Sequence, residues 1–190
     1  MSKILVLTGS VRKGGNTDLL AEAFAEGTKK NNEVDIISVA DVKVNPCNGC
    51  NACFSTEGNV CVQKDDMDLI YRKLKEADTL IIASPVYFYG ISARLKAVID
   101  RLHTPMRDQF GVKRMGLILV GAADIPELFD SIIIQYRLVL NFFHLEDIGM
   151  VLVHGAKDKG DVKKTTGLKE AERLGQTLMN PWGGVSGLLF

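Results

Sequence analysis

Short apolar runs alternate with longer amphipathic segments along the chain. The runs ILVL at residues 4–7 and LIIA at residues 80–83 are apolar throughout, as expected for strands that are buried on both faces of a parallel sheet. The amphipathic segments repeat apolar residues every three or four positions, which is the period of a helix with one buried face. The pattern predicts strands at 4–7, 34–39, 79–83, 115–120 and 146–154. It predicts helices at 17–30, 65–77, 91–102, 127–143 and 166–179.

Strict alternation of strands and helices predicts an α/β fold with three layers. Right-handed crossovers between successive strands give a mainly parallel, five-stranded sheet with helices on both faces. The 190 residues fit one domain, which we expect to span residues 1–180, with a tail at 181–190. The tail is either a loose end or a segment that packs on a neighbouring subunit. The longest irregular segment, residues 42–64, is long enough to indicate a functional loop.

Composition and charge narrow the classes of function. Apolar residues make up 46% and charged residues 24% of the chain, which excludes a disordered or low-complexity protein. Twenty-three basic and twenty-three acidic side chains give zero formal charge, so a general nucleic-acid or membrane-surface binder is not expected. No apolar stretch reaches membrane-spanning length and the N-terminus does not resemble a signal peptide, so we expect a cytoplasmic protein.

The first predicted strand leads into GSVRKGGNT at residues 9–17 and then into a helix. A glycine- and hydroxyl-rich loop at a helix N-terminus favours a phosphate, because backbone N–H groups and the helix dipole attract negative charge. Ser10, Asn16 and Thr17 add polar donors, and Arg12 adds a positive charge. The loop matches neither the Walker A motif nor G-x-G-x-x-G. The alternative is an ordinary turn in which Asn16 or Thr17 caps the helix.

An aromatic segment, SPVYFYG at residues 84–90, follows the third predicted strand. It falls at the carboxyl edge of the sheet, where open α/β folds bind ligands. Three consecutive aromatic side chains cannot all enter the core, and exposed rings favour a flat ligand. The alternative is that one ring packs inward while the others cover a helix end.

Together, the motifs at residues 9–17 and 84–101 resemble those of the NADPH-dependent FMN reductases of the flavodoxin-like superfamily. The resemblance spans most of residues 1–180 and implies a flavodoxin-like fold that binds FMN at the switch point of the sheet. It implies that the FMN phosphate is held by Ser10, Arg12, Asn16 and Thr17. It implies that the ribityl chain and the flavin ring are lined by Pro85, Val86, Tyr87, Phe88 and Gly90. The loop containing Gly121 and Ala122 would close the far side of the ring.

All four cysteines lie in one loop, residues 44–64, with the spacing C-x2-C-x2-C-x7-C. Two-residue spacings let successive thiolates turn toward one centre, and a fourth cysteine nearby completes a four-ligand site. The pattern on Cys47, Cys50, Cys53 and Cys61 favours a [4Fe–4S] cluster over zinc, because structural zinc sites more often pair two C-x2-C units across a longer gap. The same spacing is also compatible with reduced thiols or with a disulfide.

The cysteine spacing is similar to that of the iron–sulfur flavoproteins, a branch of the same superfamily. This resemblance implies a cluster near the flavin, NAD(P)H or a ferredoxin-like protein as electron donor, and a small-molecule acceptor. It also implies a homo-oligomer, a dimer or a tetramer. The helix predicted at 127–143 has more apolar residues than one buried face needs, which also favours a subunit interface.

Three hypotheses follow from the sequence. The first is a redox flavoprotein that passes electrons between FMN and a [4Fe–4S] cluster. The second is an NAD(P)H-dependent FMN or quinone reductase without a cluster, and the third is a zinc-stabilised, non-enzymatic binding module. No catalytic side chain is predicted, because the cofactors would carry the chemistry. The three histidines are interpreted as structural, and residues 157–159 as a solvated edge of the last helix.

Overall fold

The structure is a computed structural model that describes residues 2–28 and 32–178. Within these residues, six strands form one sheet and five α-helices cover it. The strands are β1 (Ser2–Thr8), β2 (Asn32–Ser38), β3 (Thr79–Tyr87), β4 (Gly90–Ile91), β5 (Arg114–Val120) and β6 (Glu146–Val153). The helices are α1 (Asn16–Thr28), α2 (Met67–Glu76), α3 (Ala93–Asp100), α4 (Asp130–Phe143) and α5 (Gly167–Thr177).

Five of the strands run parallel in the order β2-β1-β3-β5-β6, and the short β4 pairs antiparallel with β3. The chain adds β2 on one side of β1 and then crosses to add β3 on the other side, so the strand order reverses between β1 and β3. At this switch point a crevice opens at the carboxyl ends of the two strands. This topology confirms the predicted three-layer, flavodoxin-like α/β fold with five parallel strands.

The sheet separates two hydrophobic cores. Alternate residues of β1 enter opposite cores: Leu5 and Leu7 pack with α2, α3 and α4, whereas Ile4 and Val6 pack with α1 and α5. All four side chains are at most 1% exposed, as expected for a central strand covered on both faces. The alternation explains why the first apolar run shows no polar positions.

Helices α1 and α5 approach each other through glycine. A Cβ atom at Gly27 would lie 2.1 Å from the Glu172 carbonyl oxygen, and one at Gly175 would lie 2.2 Å from the Phe24 carbonyl oxygen. Both distances are far below any real Cβ contact, so the two backbones can meet only where side chains are absent. This crossing places α5 against α1. The segment that precedes α5 therefore lies beside the loop at residues 9–17.

Several predicted boundaries differ from the structure by a few residues, and two of these differences have a visible physical reason. The third strand continues to Tyr87 instead of ending at residue 83, because residues 86 and 87 pair with β4 in a hairpin. The third helix begins at Ala93 instead of residue 91, because the Ser92 side chain caps it by accepting a 3.3 Å hydrogen bond from the Leu95 N–H.

Several other predictions are not tested by the structure. The predicted ends of two helices, at residues 30 and 179, and the tail at 181–190 lie outside them. No helix in the described part of the chain is long and apolar enough to cross a membrane. The domain limits, the cytoplasmic location and the homo-oligomer stay predictions. Helix α4 does expose the expected apolar side chains, Ile134, Leu138 and Phe142, at 59%, 63% and 47%.

Candidate functional site

A cleft of about 200 Å³ opens at the carboxyl edge of the sheet, and nine of the eleven predicted cofactor-binding residues line it. These nine are Ser10, Arg12, Asn16, Thr17, Pro85, Val86, Tyr87, Gly121 and Ala122. Phe88 and Gly90 are not among the lining residues. The cleft also contains five residues that were not predicted, namely Gly15, Val120, Ala156, Lys157 and Lys159.

One wall of the cleft is the loop between β1 and α1, which is folded by its own hydrogen bonds. The Ser10 Oγ accepts a 3.1 Å hydrogen bond from the Arg12 N–H, and the Gly15 N–H donates to the Arg12 carbonyl at 2.9 Å. Gly14 has a φ of 64°, a conformation that favours glycine. The resulting turn directs the chain into α1, whose first-turn N–H groups lack helical partners and are suited to an anion.

The Asn16 side chain ties this loop to the segment that precedes α5. Its Nδ2 donates to the carbonyls of Ala156 and Asp158 at 3.2 and 2.9 Å, and its Oδ1 accepts from the N–H groups of Gly160 and Val162 at 2.9 and 3.3 Å. The amide group is therefore engaged at both ends. For a bound anion, Asn16 offers its backbone N–H, while its side chain positions the neighbouring segment.

The segment held by Asn16 brings two lysines to the cleft. Lys157 and Lys159 are exposed, as the sequence predicts, but they lie at the rim beside Arg12 and not along α5. The Lys159 Nζ donates to the Lys13 carbonyl at 2.9 Å, which fixes it against the first loop. No local signal identifies these lysines, because their position depends on a contact that spans about 140 residues of sequence.

Two other charged side chains nearby, one in the loop and one in the first turn of α1, do not line the cleft. Lys13 forms an ion pair with Asp41, and the hydrogen bond to this carboxylate raises the Lys13 pKa. Burial raises the pKa of Asp18, although the N–H groups of Gly14 and Gly15 oppose the shift. The charges that line the cleft are consequently those of Arg12, Lys157 and Lys159, all positive.

The opposite wall ends in the hairpin of β3 and β4. Phe88 and Tyr89 form its two-residue turn with φ values of 47° and 63°, the geometry in which Asn-Gly is preferred. A positive φ costs a non-glycine residue roughly 1–2 kcal/mol. Phe88 is 97% exposed, and the Ser131 hydroxyl donates to the Tyr89 carbonyl. Tyr87 therefore faces the cleft while Phe88 projects from the tip of the hairpin.

The cysteine loop has no hydrophobic interior. None of residues 46–64 is buried, and the regular structure of this segment is limited to two short 3₁₀ turns at 52–54 and 57–59. All four cysteines are free; Cys47 and Cys50 are exposed, and Cys53 and Cys61 are half-buried. Within the described residues, no three Cys, His, Asp or Glu side chains are close enough together to hold a metal ion.

A buried ion pair closes the base of this loop. The Arg101 Nη1 donates to the Asp65 Oδ2 at 2.6 Å and to the Asn45 carbonyl at 3.3 Å, and both side chains of the pair are 2% exposed. Asp65 also accepts from the Asn45 N–H at 2.9 Å. Burial alone would raise the Asp65 pKa, but these hydrogen bonds lower it overall. The residues on either side of the cysteine segment are thus held together by one arginine.

The sequence as a whole matches the profile of the NADPH-dependent FMN reductase family over residues 2–156. The chain belongs to this family. The match confirms the predicted family and the class of FMN-dependent oxidoreductases to which the family belongs.

Individual relatives fall in both predicted branches. An iron–sulfur flavoprotein of Methanocaldococcus jannaschii is 44% identical over 124 residues, covering 64% of this chain and 63% of the relative. The chain therefore spans less than two thirds of that relative. A Bacillus subtilis protein, by name an NAD(P)H-dependent FMN-containing oxidoreductase, is 30% identical over 90% of this chain and 96% of its own. The solved Trp repressor binding protein of Bacillus subtilis superposes with a TM-score of 0.67 at 29% identity, covering 90% of this chain and 96% of that one.

Proposed function

We propose that the protein is a redox enzyme that binds FMN in the cleft and a [4Fe–4S] cluster on its four cysteines. NAD(P)H is the proposed donor and a small molecule the proposed acceptor. One observation carries the proposal: nine of the predicted residues line one cleft at the switch point of the sheet. These residues lie up to about a hundred positions apart in the sequence.

The chemistry of the cleft suits a flavin mononucleotide. Arg12, Lys157 and Lys159 supply positive charge around a helix N-terminus, where a monophosphate is expected. Pro85, Val86 and Tyr87 supply an apolar and aromatic wall on the other side. A ligand with one anionic end and one flat apolar end matches both walls.

The cysteine loop suits an iron–sulfur centre on three grounds. Its four free thiols are the ligand set of a [4Fe–4S] cluster. A segment without buried residues needs a cross-link or a metal centre to fix its conformation. In addition, the Nε and Nη2 of Arg101 are buried without a hydrogen-bond partner in the described structure, which fits a negatively charged group nearby. The relatives named iron–sulfur flavoproteins support the same proposal.

When bound, FMN exchanges two electrons as a hydride or singly, and the cluster exchanges one electron at a time. The chain contributes binding and environment. The lysines and Arg12 anchor the phosphate, the β3–β4 hairpin orients the flat ring, and Tyr87 shields one side of it from water. Cys47, Cys50, Cys53 and Cys61 hold the cluster, and the Asp65–Arg101 ion pair holds the two ends of their loop.

The second candidate is an NAD(P)H-dependent FMN or quinone reductase without a cluster. It is favoured by the separation of the four cysteines among the described residues and by the Bacillus subtilis relative that aligns over nearly the whole chain. The two candidates share the FMN cleft and differ only in the cysteine loop. Iron analysis separates them.

The FMN site is tested by the variant Arg12→Met, with Lys13→Met as the matched control. Arg12 lines the cleft, whereas the neighbouring Lys13 pairs with Asp41 outside it. Loss of a charge-assisted contact to phosphate is expected to weaken FMN binding about tenfold or more. The control is expected to bind FMN as the wild type does. Equal affinities of both variants, measured by flavin fluorescence quenching, would contradict the proposed phosphate site.

The cluster is tested by iron, acid-labile sulfide and a visible spectrum on anaerobically purified protein. About four irons per chain and a broad thiolate–iron absorption are expected in addition to the flavin bands. Cys61→Ser is expected to lose the iron and keep the FMN, whereas Ser55→Ala in the same loop is expected to keep both. FMN-loaded wild-type protein without iron would leave the second candidate, and a stoichiometric zinc content would replace the cluster by zinc.

A further inference from the structure

Two buried polar atoms beside the loop at residues 9–17 have no hydrogen-bond partner within residues 2–28 and 32–178. One is the Oγ1 of Thr8, the last residue of β1, which is 1% exposed. The other is the Oδ1 of Asp18, whose Oδ2 accepts a 2.8 Å hydrogen bond from the Gly14 N–H. Leaving a buried polar atom without a partner is costly, and more so when the atom is charged. A hydroxyl and a carboxylate oxygen left open in this way indicate a ligand that carries hydrogen-bond donors.

Both residues line one pocket of about 220 Å³, which lies between α1 and the carboxyl ends of β1 and β2. Ser38, the last residue of β2, lines it as well, together with the exposed side chains of Lys13, Glu22 and Asp41. Ile36 of β2 adds an apolar contact and is 44% exposed. The pocket is smaller than the roughly 300–1,000 Å³ of sites for drug-sized ligands, so it suits one part of a larger ligand.

The charges of this pocket favour hydroxyl groups over a phosphate. Asp18, Glu22 and Asp41 are acidic, and the one basic residue among the described lining, Lys13, forms an ion pair with Asp41. Burial raises the pKa of Asp18, and the charge of Asp41 adds to the rise. A further anion would increase this repulsion, whereas a sugar hydroxyl donates to a carboxylate without adding charge. In the described part of the chain, these acids do not form a group that could hold a metal ion.

The pocket adjoins the cleft that is proposed to bind FMN. Arg12 lines the cleft and the next residue, Lys13, lines the pocket, and consecutive Cα atoms are only about 3.8 Å apart. The Lys159 Nζ donates to the Lys13 carbonyl, so positive charge lies along the strip of loop between the two sites. A ligand with a flat ring at the cleft, a diphosphate on this strip and a sugar in the pocket has the parts of a dinucleotide in their order.

The position of Asp41 also matches a known way of recognising ribose. In dinucleotide-binding α/β folds, a carboxylate about twenty residues beyond the glycine-rich turn accepts a hydrogen bond from the 2′-hydroxyl of NAD, whereas an arginine accommodates the 2′-phosphate of NADP. Asp41 lies just after β2, at the edge of the sheet where such a ribose is bound. No arginine is among the described residues that line the pocket.

We propose that this pocket binds the adenosine ribose of the nicotinamide donor, with its hydroxyls on Thr8 and Asp18, and that it selects NADH over NADPH. The inference rests on the proposed function, because it assumes a nicotinamide donor for the FMN in the cleft. A 2′-phosphate would place an anion beside three carboxylates, which opposes binding. The preference for NADH is expected although the family is described as NADPH-dependent.

The first test is calorimetric binding of ADP-ribose to the FMN-loaded protein, in which the cleft is already occupied. Thr8→Val keeps the shape of the side chain and removes its hydroxyl, whereas the matched control, Thr8→Ser, keeps the hydroxyl. Thr8→Val is expected to weaken ADP-ribose binding about tenfold and to leave FMN binding unchanged. Thr8→Ser is expected to bind ADP-ribose as the wild type does.

The second test compares the two donors by the rate at which they reduce the bound flavin. The wild type is expected to have at least about a tenfold higher kcat/KM with NADH than with NADPH. Asp41→Asn removes one of the acidic charges and is expected to narrow this ratio by about threefold. Asp108→Asn, an exposed acid outside the pocket, is the control and is expected to keep the ratio of the wild type.

Equal affinities of wild type and Thr8→Val for ADP-ribose would overturn the inference, and so would a wild type that prefers NADPH. FMN-loaded protein that does not bind ADP-ribose would contradict the pocket alone and leave the proposed FMN site in place. If Thr8→Val does not fold, Asp41→Asn decides, because an unchanged ratio of the two donors would refute the role of the acidic pocket. Flavin that neither nucleotide reduces would overturn the proposed donor and this inference together.

Discussion

Replacing Gly27 or Gly175 by alanine tests whether the close crossing of α1 and α5 determines the stability of the fold. Helix propensity alone predicts a gain, because alanine is favoured over glycine by roughly 1 kcal/mol in a helix interior. The structure predicts a loss. The new Cβ would lie 2.1 Å from the Glu172 carbonyl at residue 27 and 2.2 Å from the Phe24 carbonyl at residue 175, and backbone atoms cannot rotate away.

The magnitude follows from the displacement that the new methyl groups require. An ordinary carbon–oxygen contact needs about 1 Å more than these distances provide, so the helices must separate by about that amount. Overpacking of this kind costs about 1–3 kcal/mol, and the upper end applies because backbone is displaced. After subtraction of the propensity gain, each substitution is expected to destabilise the protein by about 2 kcal/mol, or about 4–8 °C in Tm for a chain of this size.

The double variant provides a sharper test. A Cβ at Gly175 would also lie 3.2 Å from the Gly27 carbonyl carbon, so both residues share one crossing and a single separation relieves both clashes. The double variant is expected to lose less stability than the sum of the single variants, by about 1 kcal/mol. Urea unfolding of the reduced apoprotein measures these differences without ligand linkage. Lys169→Ala, on the exposed face of α5, is the control and is expected to have little effect. A gain in stability from either glycine variant, or full additivity of the two, would contradict a close backbone crossing of α1 and α5.

Three further predictions concern the hairpin and the base of the cysteine loop. Phe88→Asn is expected to stabilise the protein by roughly 0.5–1 kcal/mol, because asparagine tolerates a positive φ and the exposed ring loses no burial; a lower Tm would show that the ring is packed. The wild type is expected to exceed Asp65→Asn in free energy of unfolding by the full amount above pH 3.8, and by less as the pH falls through the lowered pKa of Asp65. A difference that stays constant down to pH 2 would contradict the ion pair. Burial raises the pKa of Tyr71 in the folded protein to about 12, so the wild type is expected to lose up to about 2–3 kcal/mol of stability relative to Tyr71→Phe as the pH rises from 10 to 12. Stability curves that stay parallel over this range would exclude the raised pKa.

Much of the site was predictable because it lies in two continuous motifs. Ser10, Arg12 and Thr17 follow one buried strand, and Pro85 and Val86 belong to the next one along the sheet. The carboxyl ends of neighbouring parallel strands meet at one edge, so local sequence and topology together bring these residues to one cleft. The cofactor roles of these residues stay predictions. No local pattern indicated that the Asn16 amide would bind the segment before α5 or that Lys159 would lie in the cleft.

The order of strands and helices, the family and the candidate ligands could all be predicted from the amino-acid sequence alone. These properties depend on periodicity and on motifs within about twenty residues, where spacing along the chain fixes which side chains share a face. The contacts between distant segments became visible only in the folded chain: Asn16 with residues 156–162, Gly27 with α5, and Arg101 with Asp65. Such pairs carry no periodic signal, because they arise where separately formed elements dock and must satisfy the sterics and charges of their neighbours.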